Sequence, residues 1–312
     1  MQEKQALLEV DNLKMYFTSG IGKSKNVVKA VDGVSFNIYE SETFGLVGES
    51  GCGKTTIGRT LIRIYNPTGG KFKLKGEDIS GKMTNSLRGY ITRNMAMVFQ
   101  DPIDTLNPRM TIEEIIAEGL IARGEKNREE NQKKIYEMLD KVGLTEEHAT
   151  RYPHEFSGGQ RQRIGIARAI ILNPNIVIAD EPVSALDVSI QAQIINLLND
   201  LKSDLGLTIM FIAHDLSVVK YFSDRIGVMY YGKLVEIARS DDLYRNPIHP
   251  YTRSLLSAIP QPNPLTEKYR TRISYDPKAS HDYNSEQPQM REVEAGHFVY
   301  CSQAEFEQYQ KQ

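Results

Sequence analysis

Short apolar runs alternate with polar, glycine-punctuated segments in the first hundred residues of the chain. Residues 7–17 and 27–39 carry alternating apolar positions, which predicts two strands around a polar turn at 18–26. The apolar run 44–47 predicts a third strand, and residues 55–65 predict a helix. A glycine-rich turn joins the two, so this segment has the order strand, turn, helix.

The remainder continues the alternation of strands and helices. Apolar runs predict strands at 95–99, 176–179, 208–213 and a pair near 226–237. Helices are predicted within 111–150, at 160–172, where Pro174 ends the pattern, and at 190–205. Within 111–150, the Glu- and Lys-rich run 125–134 is expected to be a solvated helix face. The alternation predicts an α/β fold with a largely parallel sheet covered on both faces.

The hydrophobic periodicity of the sequence is lost after residue 259. A polar stretch without clear periodicity is interrupted by Pro260, Pro262, Pro264, Pro277 and Pro288. We therefore expect the core domain to end near residue 258 and a small or extended tail to follow. No internal repeat is visible.

Composition narrows the class of protein. Of the 312 residues, 40% are hydrophobic and 25% charged, which is ordinary for a globular protein. The formal charge of −2 argues against coating nucleic acid by net charge alone. The sequence has no apolar run long enough to span a membrane, and residues 1–9 have no apolar signal core. Two cysteines, Cys52 and Cys301, give no disulfide framework and favour a reducing, cytoplasmic compartment.

The first glycine turn carries the most specific chemistry. Residues 48–55 match G-x-x-x-x-G-K-S/T in full. Glycines let the backbone close around phosphate oxygens, and the helix that follows directs N–H groups and its positive dipole end at an anion. Lys54 would add a charge for the β- and γ-phosphates, and the Thr55 hydroxyl is a hard oxygen ligand suited to Mg²⁺.

Two carboxylates follow the predicted strand at 176–179. Asp180 at the strand tip can hold Mg²⁺, usually through water, and Glu181 could act as general base toward an attacking water. Alone, this pattern is equally typical of the start of a loop. Downstream of a phosphate-binding turn, it indicates nucleotide hydrolysis.

A second glycine turn precedes these carboxylates. Ser157-Gly158-Gly159-Gln160 opens the helix predicted at 160–172. Ser157 can be read simply as a helix N-cap. The basic side chains of Arg161, Arg163 and Arg168, together with the position just before the carboxylate strand, favour a second anion site. The first glycine turn accounts for one bound nucleotide, so the second anion site is expected to contact the nucleotide of a partner chain.

These motifs together resemble an ABC-type ATPase. The set comprises the phosphate-binding turn, Gln100, residues 156–160, Asp180-Glu181, residues 184–187 and His214, in family order and with family-like spacing. The resemblance implies a RecA-like core sheet, an antiparallel β subdomain and a helical subdomain at about 101–165. The ATPase domain would span 6–258, and 259–312 would form a C-terminal extension.

The resemblance also implies roles for individual residues. Glu181, His214 and Gln100 would be catalytic, His214 as the γ-phosphate switch and Gln100 as the link to Mg²⁺, water and a membrane partner. Without the family match, Gln100 would be a loop residue and His214 structural, and Phe17 rivals Tyr16 as the aromatic on adenine.

Mg²⁺ would be held by Thr55, Gln100 and Asp180. ATP would be bound by Tyr16, Gly48, Glu49, Ser50, Gly51, Cys52, Gly53, Lys54, Thr55, Thr56, Gln100 and Asp180. In a head-to-tail pair, the partner's ATP would be contacted by Ser157, Gly158, Gly159, Gln160 and Asp187.

Segments outside the shared core resemble the oligopeptide/dipeptide permease ATPases. They are 99–102, 106–110, 151–156, 189–193, the His-Pro-Tyr segment 246–252 and 296–301. The pattern is closest to the F-type subunit. It implies a related D-type ATPase as partner, two transmembrane permease subunits, an extracellular peptide-binding protein, no nucleic acid, and a peripheral place on the cytoplasmic face of the cell membrane.

One departure concerns cysteine. Many relatives carry a cysteine cluster in this extension that can hold an iron–sulfur centre, but here Cys301 stands alone and Cys52 lies in the phosphate-binding turn. Four thiolates are lacking, so we expect no cluster, and Cys301 to be a small apolar residue.

Alternative functions differ in what they leave unexplained. A soluble ABC ATPase of DNA repair or translation would need a long coiled-coil insertion or tandem cassettes, and the sequence has neither. A P-loop kinase leaves the second glycine turn and His214 without a role. Import of nickel or another small solute by the same subfamily stays open, because other subunits choose the substrate.

Overall fold

The computed structural model describes residues 5–20, 26–259, 271–281, 283 and 286–311. Most of the polar turn predicted at 18–26 and the prolines at 260, 262 and 264 lie outside these residues. The chain divides into two compact units. The first unit contains residues 39–41 and 82–212, and the second contains the described parts of 5–38, 42–81 and 213–312.

The strands are numbered in chain order. They are β1 (Ala6–Ser19), β2 (Asn26–Tyr39), β3 (Thr43–Val47), β4 (Gly69–Leu74), β5 (Glu77–Asp78), β6 (Met95–Val98), β7 (Ile176–Asp180), β8 (Thr208–Ala213), β9 (Arg225–Tyr230), β10 (Lys233–Arg239), β11 (Gln289–Glu294) and β12 (His297–Cys301).

The helices follow the same convention. They are α1 (Lys54–Leu61), α2 (Asn85–Asn94), α3 (Pro102–Thr105), α4 (Ile112–Ala122), α5 (Arg128–Lys141), α6 (Gly158–Ile170), α7 (Val188–Leu205), α8 (Leu216–Phe222), α9 (Ser240–Arg245), α10 (Pro250–Ser257), α11 (Pro277–Ser280) and α12 (Gln303–Tyr309). Short 3-10 turns lie at Glu146–His148 and Pro153–Glu155.

The first unit is built on a parallel sheet. β7 pairs with β6 on one side and β8 on the other, in parallel register, and every residue of β7 and β8 is buried. Strands buried on both faces read as continuous apolar runs, which is why the sequence pattern identified them. α6 packs against β6, α4 and α7. Because parallel strands end at the same edge, the residues that follow β6 and β7 are brought close together.

The second unit holds two groups of strands. One has the order β2-β1-β4-β5, and the other runs β11-β12-β10-β9-β3. β3 pairs with β9 in parallel, whereas β9, β10, β12 and β11 pair successively antiparallel. The turn between β3 and α1, which is the first glycine turn, belongs to this unit.

Three predictions of secondary structure need correction. The tail after residue 259 is not simply irregular: β11 and β12 form a hairpin, and β12 pairs with β10 through Glu236–Val299 and Ile237–Phe298. The helix predicted over 55–65 ends at Leu61, since Arg63 adopts a left-handed φ of 65°. The helical region 111–150 is broken at Gly124 and Gly143, which have φ values of 89° and 72°.

The strands of the α/β prediction are otherwise where the pattern placed them. The hairpin was missed because β11 is polar at most positions, and only its inward side chains pack: Val293 joins Val299, Cys301 and Ile248 in a small apolar cluster. Cys301 is fully buried there, which agrees with its expected character as a small apolar residue.

Candidate nucleotide site

The first glycine turn adopts a backbone that only glycine tolerates at two positions. Gly48 and Gly53 have φ values of 152° and 112°. A Cβ on Gly48 would lie 2.2 Å from the Met229 carbonyl oxygen, and one on Gly53 would lie 2.1 Å from that of Ala30. Gly53 is the N-cap of α1 and has no side chain to cap it. No side chain of the N-cap residue therefore stands between the first turn of α1 and an anion.

Lys54 brings a positive charge into this turn. Its side chain is buried, and Nζ donates to the carbonyl oxygens of Gly48 at 2.8 Å and Glu49 at 2.9 Å. The Cys52 sulfur lies 3.8 Å from the same nitrogen. Burial raises the pKa of the Cys52 thiol, which outweighs the opposing effect of the Lys54 charge. The turn therefore presents one cation and a neutral thiol.

The predicted adenine-stacking residue is held by a network that the sequence did not reveal. The Tyr16 hydroxyl donates to the Asp32 carboxylate, which also pairs with Lys233 at 3.1 Å. This hydrogen bond, with burial, raises the pKa of Tyr16 to about 12. Burial acts to raise the pKa of Asp32, but the hydrogen bonds from Tyr16 and Lys233 lower it overall. Lys29 Nζ lies 5.6 Å from the centre of the Tyr16 ring.

The other candidates of the second unit are less enclosed. Phe17, the rival of Tyr16, is more exposed and packs edge-on against Tyr65 with ring centres 5.3 Å apart. His214 follows β8 at an exposed position. Its neighbour Asp215 caps α8 by accepting from the Ser217 N–H at 2.8 Å. Of the other residues predicted to bind ATP, Glu49, Ser50 and Gly51 are exposed, whereas Thr55 and Thr56 are half-buried.

The first unit brings the predicted catalytic carboxylate and the predicted linking amide together. Gln100 Nε2 donates to Glu181 Oε2 at 3.3 Å, because β6 and β7 end side by side. Asp180 is fully buried at the end of β7. Glu181 has a φ of 46°, and its N–H donates to the Ile212 carbonyl at 3.0 Å. A non-glycine residue in this region is strained, as is common at functional positions.

The second glycine turn satisfies its own polar groups. Ser157 Oγ accepts from the Gln160 N–H at 3.3 Å, and Gln160 Oε1 accepts from the Ser157 N–H at 3.0 Å. This is a capping box, so the N-cap interpretation of Ser157 is correct for the single chain. A Cβ on Gly159 would lie 2.6 Å from Ile190, whereas one on Gly158 would meet only Leu186 at 3.5 Å.

The basic residues after this turn each bind a carbonyl within the first unit. Arg161 donates to the Pro153 carbonyl at 2.8 Å and Arg163 to that of Val142 at 2.7 Å. Arg168 donates to the carbonyl of Thr105 at 2.6 Å. These contacts give the arginines a structural role in joining the loops around α6.

Asp187 caps the helix that follows the carboxylates. Its side chain accepts from the Ile190 N–H at 3.0 Å and from the Ser189 hydroxyl at 2.7 Å. These bonds lower the pKa of Asp187, which is exposed and ionised. Its predicted contact with a partner chain stays a prediction.

Sequence reasoning missed Asp32, Lys233 and Tyr251 near the glycine turn. Tyr251 accepts a hydrogen bond from the Glu49 N–H at 3.3 Å, across 202 positions of sequence. Contacts at this separation leave no local pattern. Only the His-Pro-Tyr segment that contains Tyr251 was noted, and then as a mark of a subfamily rather than as part of the site.

Comparison with known families covers most of the chain. Residues 31–184 match the ABC transporter family, and residues 235–285 match the C-terminal region of oligopeptide/dipeptide transporters. The oligopeptide transport ATP-binding protein OppF of Bacillus subtilis (strain 168) is 56% identical over 99% of this chain and 100% of its own length. The dipeptide transport ATP-binding protein DppF of Lactococcus lactis subsp. cremoris is 52% identical over 100% of this chain and 99% of its own.

Solved structures agree with the fold. A dimeric post-hydrolysis structure of the ATP-binding cassette MJ0796, bound to ADP and Pi, matches with a TM-score of 0.67 and 30% identity, covering 75% of this chain and 98% of that one. Within the residues described here, no helix combines the length and apolar character that a membrane crossing requires. The α/β prediction and its P-loop ATPase type are thus confirmed, and the chain belongs to the ABC transporter ATP-binding proteins of the oligopeptide/dipeptide transport family.

Proposed function

We propose that this chain binds and hydrolyses ATP to power the import of oligopeptides or dipeptides through a membrane ABC transporter. The observation that carries the proposal is the occurrence, in one chain, of an intact phosphate-binding turn and a full-length likeness to ATP-binding proteins of peptide transport.

The binding roles follow from the groups present. The amides at the start of α1 and the Lys54 charge suit the phosphates, and the fixed ring of Tyr16 suits the base. Thr55, Gln100 and Asp180 supply hydroxyl, amide and carboxylate oxygens, which are the hard donors that Mg²⁺ prefers. Bound Mg²⁺ would neutralise charge on the phosphate oxygens.

The catalytic roles belong to the strand ends of the first unit and to His214. Glu181 would accept a proton from the attacking water, and Gln100, which already donates to Glu181, would help to orient that water. His214 would contact the γ-phosphate. Charge on Glu181 is needed for the proton transfer, which gives a direct test.

The test replaces the Glu181 carboxylate by an amide of the same shape. We expect Glu181→Gln to bind ATP like the wild type but to hydrolyse it at least about 100-fold more slowly in the assembled transporter. Nucleotide binding and phosphate release would be measured in parallel. Glu129→Gln, at an exposed carboxylate in the first turn of α5, is the matched control and should leave both unchanged. Wild-type hydrolysis by Glu181→Gln would remove Glu181 as the base.

The assembly is proposed on the same grounds. The chain would pair head-to-tail with a related D-type ATPase, dock on two permease subunits at the cytoplasmic face of the membrane, and depend on an extracellular peptide-binding protein. The Ser157 turn would contact the partner's ATP, so that hydrolysis opens the pair. The dimeric form of the similar MJ0796 cassette supports pairing in general.

Substitution of Ser157 tests this assembly. Ser157→Arg should leave ATP binding by the single chain intact and block hydrolysis in the complex, because the added side chain would occupy the partner's site. Mass spectrometry of proteins that co-purify with the chain from the membrane fraction would identify the companions. Full hydrolysis by a lone copy, with no second cassette present, would contradict the proposal.

The tail is proposed to carry no iron–sulfur cluster. Cys301 lies in the apolar cluster with Val299 and Ile248, and burial raises its pKa to about 11, which disfavours a thiolate ligand.

A further inference from the structure

Tyr251 joins the C-terminal region to the phosphate-binding turn. It lies in the first turn of α10 and is among the largest fully buried side chains of the described residues. Its hydroxyl oxygen accepts from the Glu49 N–H at 3.3 Å. The Glu49 carbonyl in turn accepts from Lys54 Nζ at 2.9 Å and from the Cys52 N–H at 3.3 Å. Both polar groups of the Glu49 backbone are therefore hydrogen-bonded: the carbonyl to groups of the turn itself, and the N–H to a side chain of α10.

We propose that Tyr251 is a positioning residue for ATP binding, which holds the phosphate-binding turn in its binding conformation through the Glu49 N–H. This N–H donates to the phenol. The anion cradle would be formed by the amides at the start of α1. A cradle that is already ordered loses less conformational entropy when the nucleotide binds.

The phenol can perform this role because its own position is fixed. Its ring packs against Tyr230, with centres 4.4 Å apart, and Tyr275, at 5.4 Å. The Tyr251 N–H donates to His249 Nδ1 at 3.1 Å, which caps α10. Burial raises the pKa of Tyr251, so the hydroxyl stays neutral.

A buried carboxylate anchors the start of α10 in turn. Glu236, on β10, accepts from the N–H groups of Ile248 at 2.8 Å and His249 at 3.1 Å. Its carboxylate also pairs with His297 Nε2, on β12, at 2.7 Å. The contacts thus run from the β11–β12 hairpin through Glu236 and α10 to the phosphate-binding turn, all within the second unit.

The experiment removes the single hydroxyl. This inference rests on the proposed function in so far as the turn must bind ATP. The full-length Tyr251→Phe variant should bind a fluorescent ATP analogue about tenfold more weakly than the wild type, because the Glu49 N–H loses the acceptor that fixes its position. Tyr283→Phe is the matched control, since the Tyr283 hydroxyl contacts His281 Nδ1 at 3.0 Å and the Tyr300 carbonyl at 3.4 Å, away from the turn. It should bind the analogue with wild-type affinity.

Thermal unfolding of the same variants separates positioning from general stability. A lower unfolding temperature is compatible with either variant, but only Tyr251→Phe should lose affinity at a temperature where all three proteins are folded. Equal affinity in Tyr251→Phe and the wild type, or an equal loss in Tyr283→Phe, would overturn the inference. Failure of the wild type itself to bind the analogue would instead overturn the proposed function.

A second measurement applies to the unmodified chain. Amide hydrogen exchange at Glu49 should be slow relative to that at the exposed Ser50 and Gly51, because only the Glu49 N–H is bonded to Tyr251. This result would hold even if Tyr251→Phe failed to fold. Exchange at Glu49 as fast as at Ser50 would contradict the proposal.

Discussion

The two glycine turns begin their helices in opposite ways. At the first, the N-cap is Gly53 in a left-handed conformation without a side chain, and backbone carbonyls of Ala30 and Met229 lie against the turn. At the second, the glycines have ordinary backbone angles, and Ser157 and Gln160 cap the helix between them. The first turn is thus shaped by distant parts of its unit, whereas the second is shaped by its own side chains.

This difference separates two kinds of anion site. A turn held from outside needs no side chain to cap its helix, and the helix N-terminus can face a phosphate. A self-capped turn uses one N–H group internally, because the Ser157 hydroxyl accepts from the Gln160 N–H. Substitution of a glycine should therefore have unequal effects in the two turns.

The largest effect is expected from Gly53→Ala. The added Cβ would lie 2.1 Å from the Ala30 carbonyl oxygen at a φ of 112°, so the turn must move. We expect a loss of about 3 kcal/mol in the free energy of unfolding and loss of ATP binding. Chemical unfolding and nucleotide titration would measure the two effects.

Gly158→Ala is the matched control at the second turn. Its Cβ would meet only Leu186 Cδ2 at 3.5 Å, an ordinary contact, and its backbone needs no left-handed angle. The isolated chain should keep its stability and its ATP affinity. Similar losses in the two variants would show that the contrast between the turns is wrong.

A pH-dependent effect is expected from His249, which caps the helix behind the first turn. Burial, and then the charges of His281 and Arg253, lower its pKa from 6.5 to about 3 in the folded chain. Its ring also faces Tyr275, and its backbone N–H binds Glu236. The unfolded chain therefore takes up this proton first, so stability is complete above pH 6.5 and falls as the pH drops toward 3.

His249→Asn should remove this loss while keeping a side-chain oxygen for the cap. In the wild type, His249 should lower the free energy of unfolding by up to about 1.4 kcal/mol for each unit by which the pH falls. In the variant, this part of the pH dependence should be absent. Unfolding measured between about pH 4 and pH 7 would test it. Equal slopes in the two proteins would contradict the buried, neutral imidazole. No such titrating cap lies in the Ser157–Gln160 box.

The smallest effect on the single chain is expected from Ser157→Ala. Loss of the cap should cost about 1 kcal/mol in the free energy of unfolding and leave ATP binding unchanged. Ser302→Ala removes an equivalent capping box at α12 and is the control. Both should destabilise alike, but only Ser157→Ala should slow hydrolysis in the assembled transporter. Equal hydrolysis by the two would reduce Ser157 to a structural cap.

Local patterns predicted what depends on neighbours in sequence. The order strand, turn, helix around Lys54 and the buried strand that ends at Asp180 follow from runs of apolar residues and from glycine, and both lie where expected. β4 was missed despite its alternation of Lys71, Phe72, Lys73 and Leu74, because its glycine and lysine content resembles a loop.

Contacts between residues far apart in the chain could not be predicted from the sequence. The bonds of Tyr16 to Asp32 and of Tyr251 to Glu49 depend on strands and helices that meet only in the folded chain. The family resemblance gave Gln100 and Glu181 catalytic roles, but neither the resemblance nor any pattern around either residue predicted the hydrogen bond between them. The roles of these residues toward ATP, Mg²⁺ and a partner chain remain predictions.

The pairing of Glu236 with His297 has a consequence for genetics. A premature stop codon at position 297 would remove residues 297–312. The buried carboxylate of Glu236 would then lose its partner His297, and β10 would lose its neighbour β12. Because the same carboxylate anchors the helix behind the phosphate-binding turn, we expect such a truncated allele to impair nucleotide binding although every motif of the ATPase is still encoded.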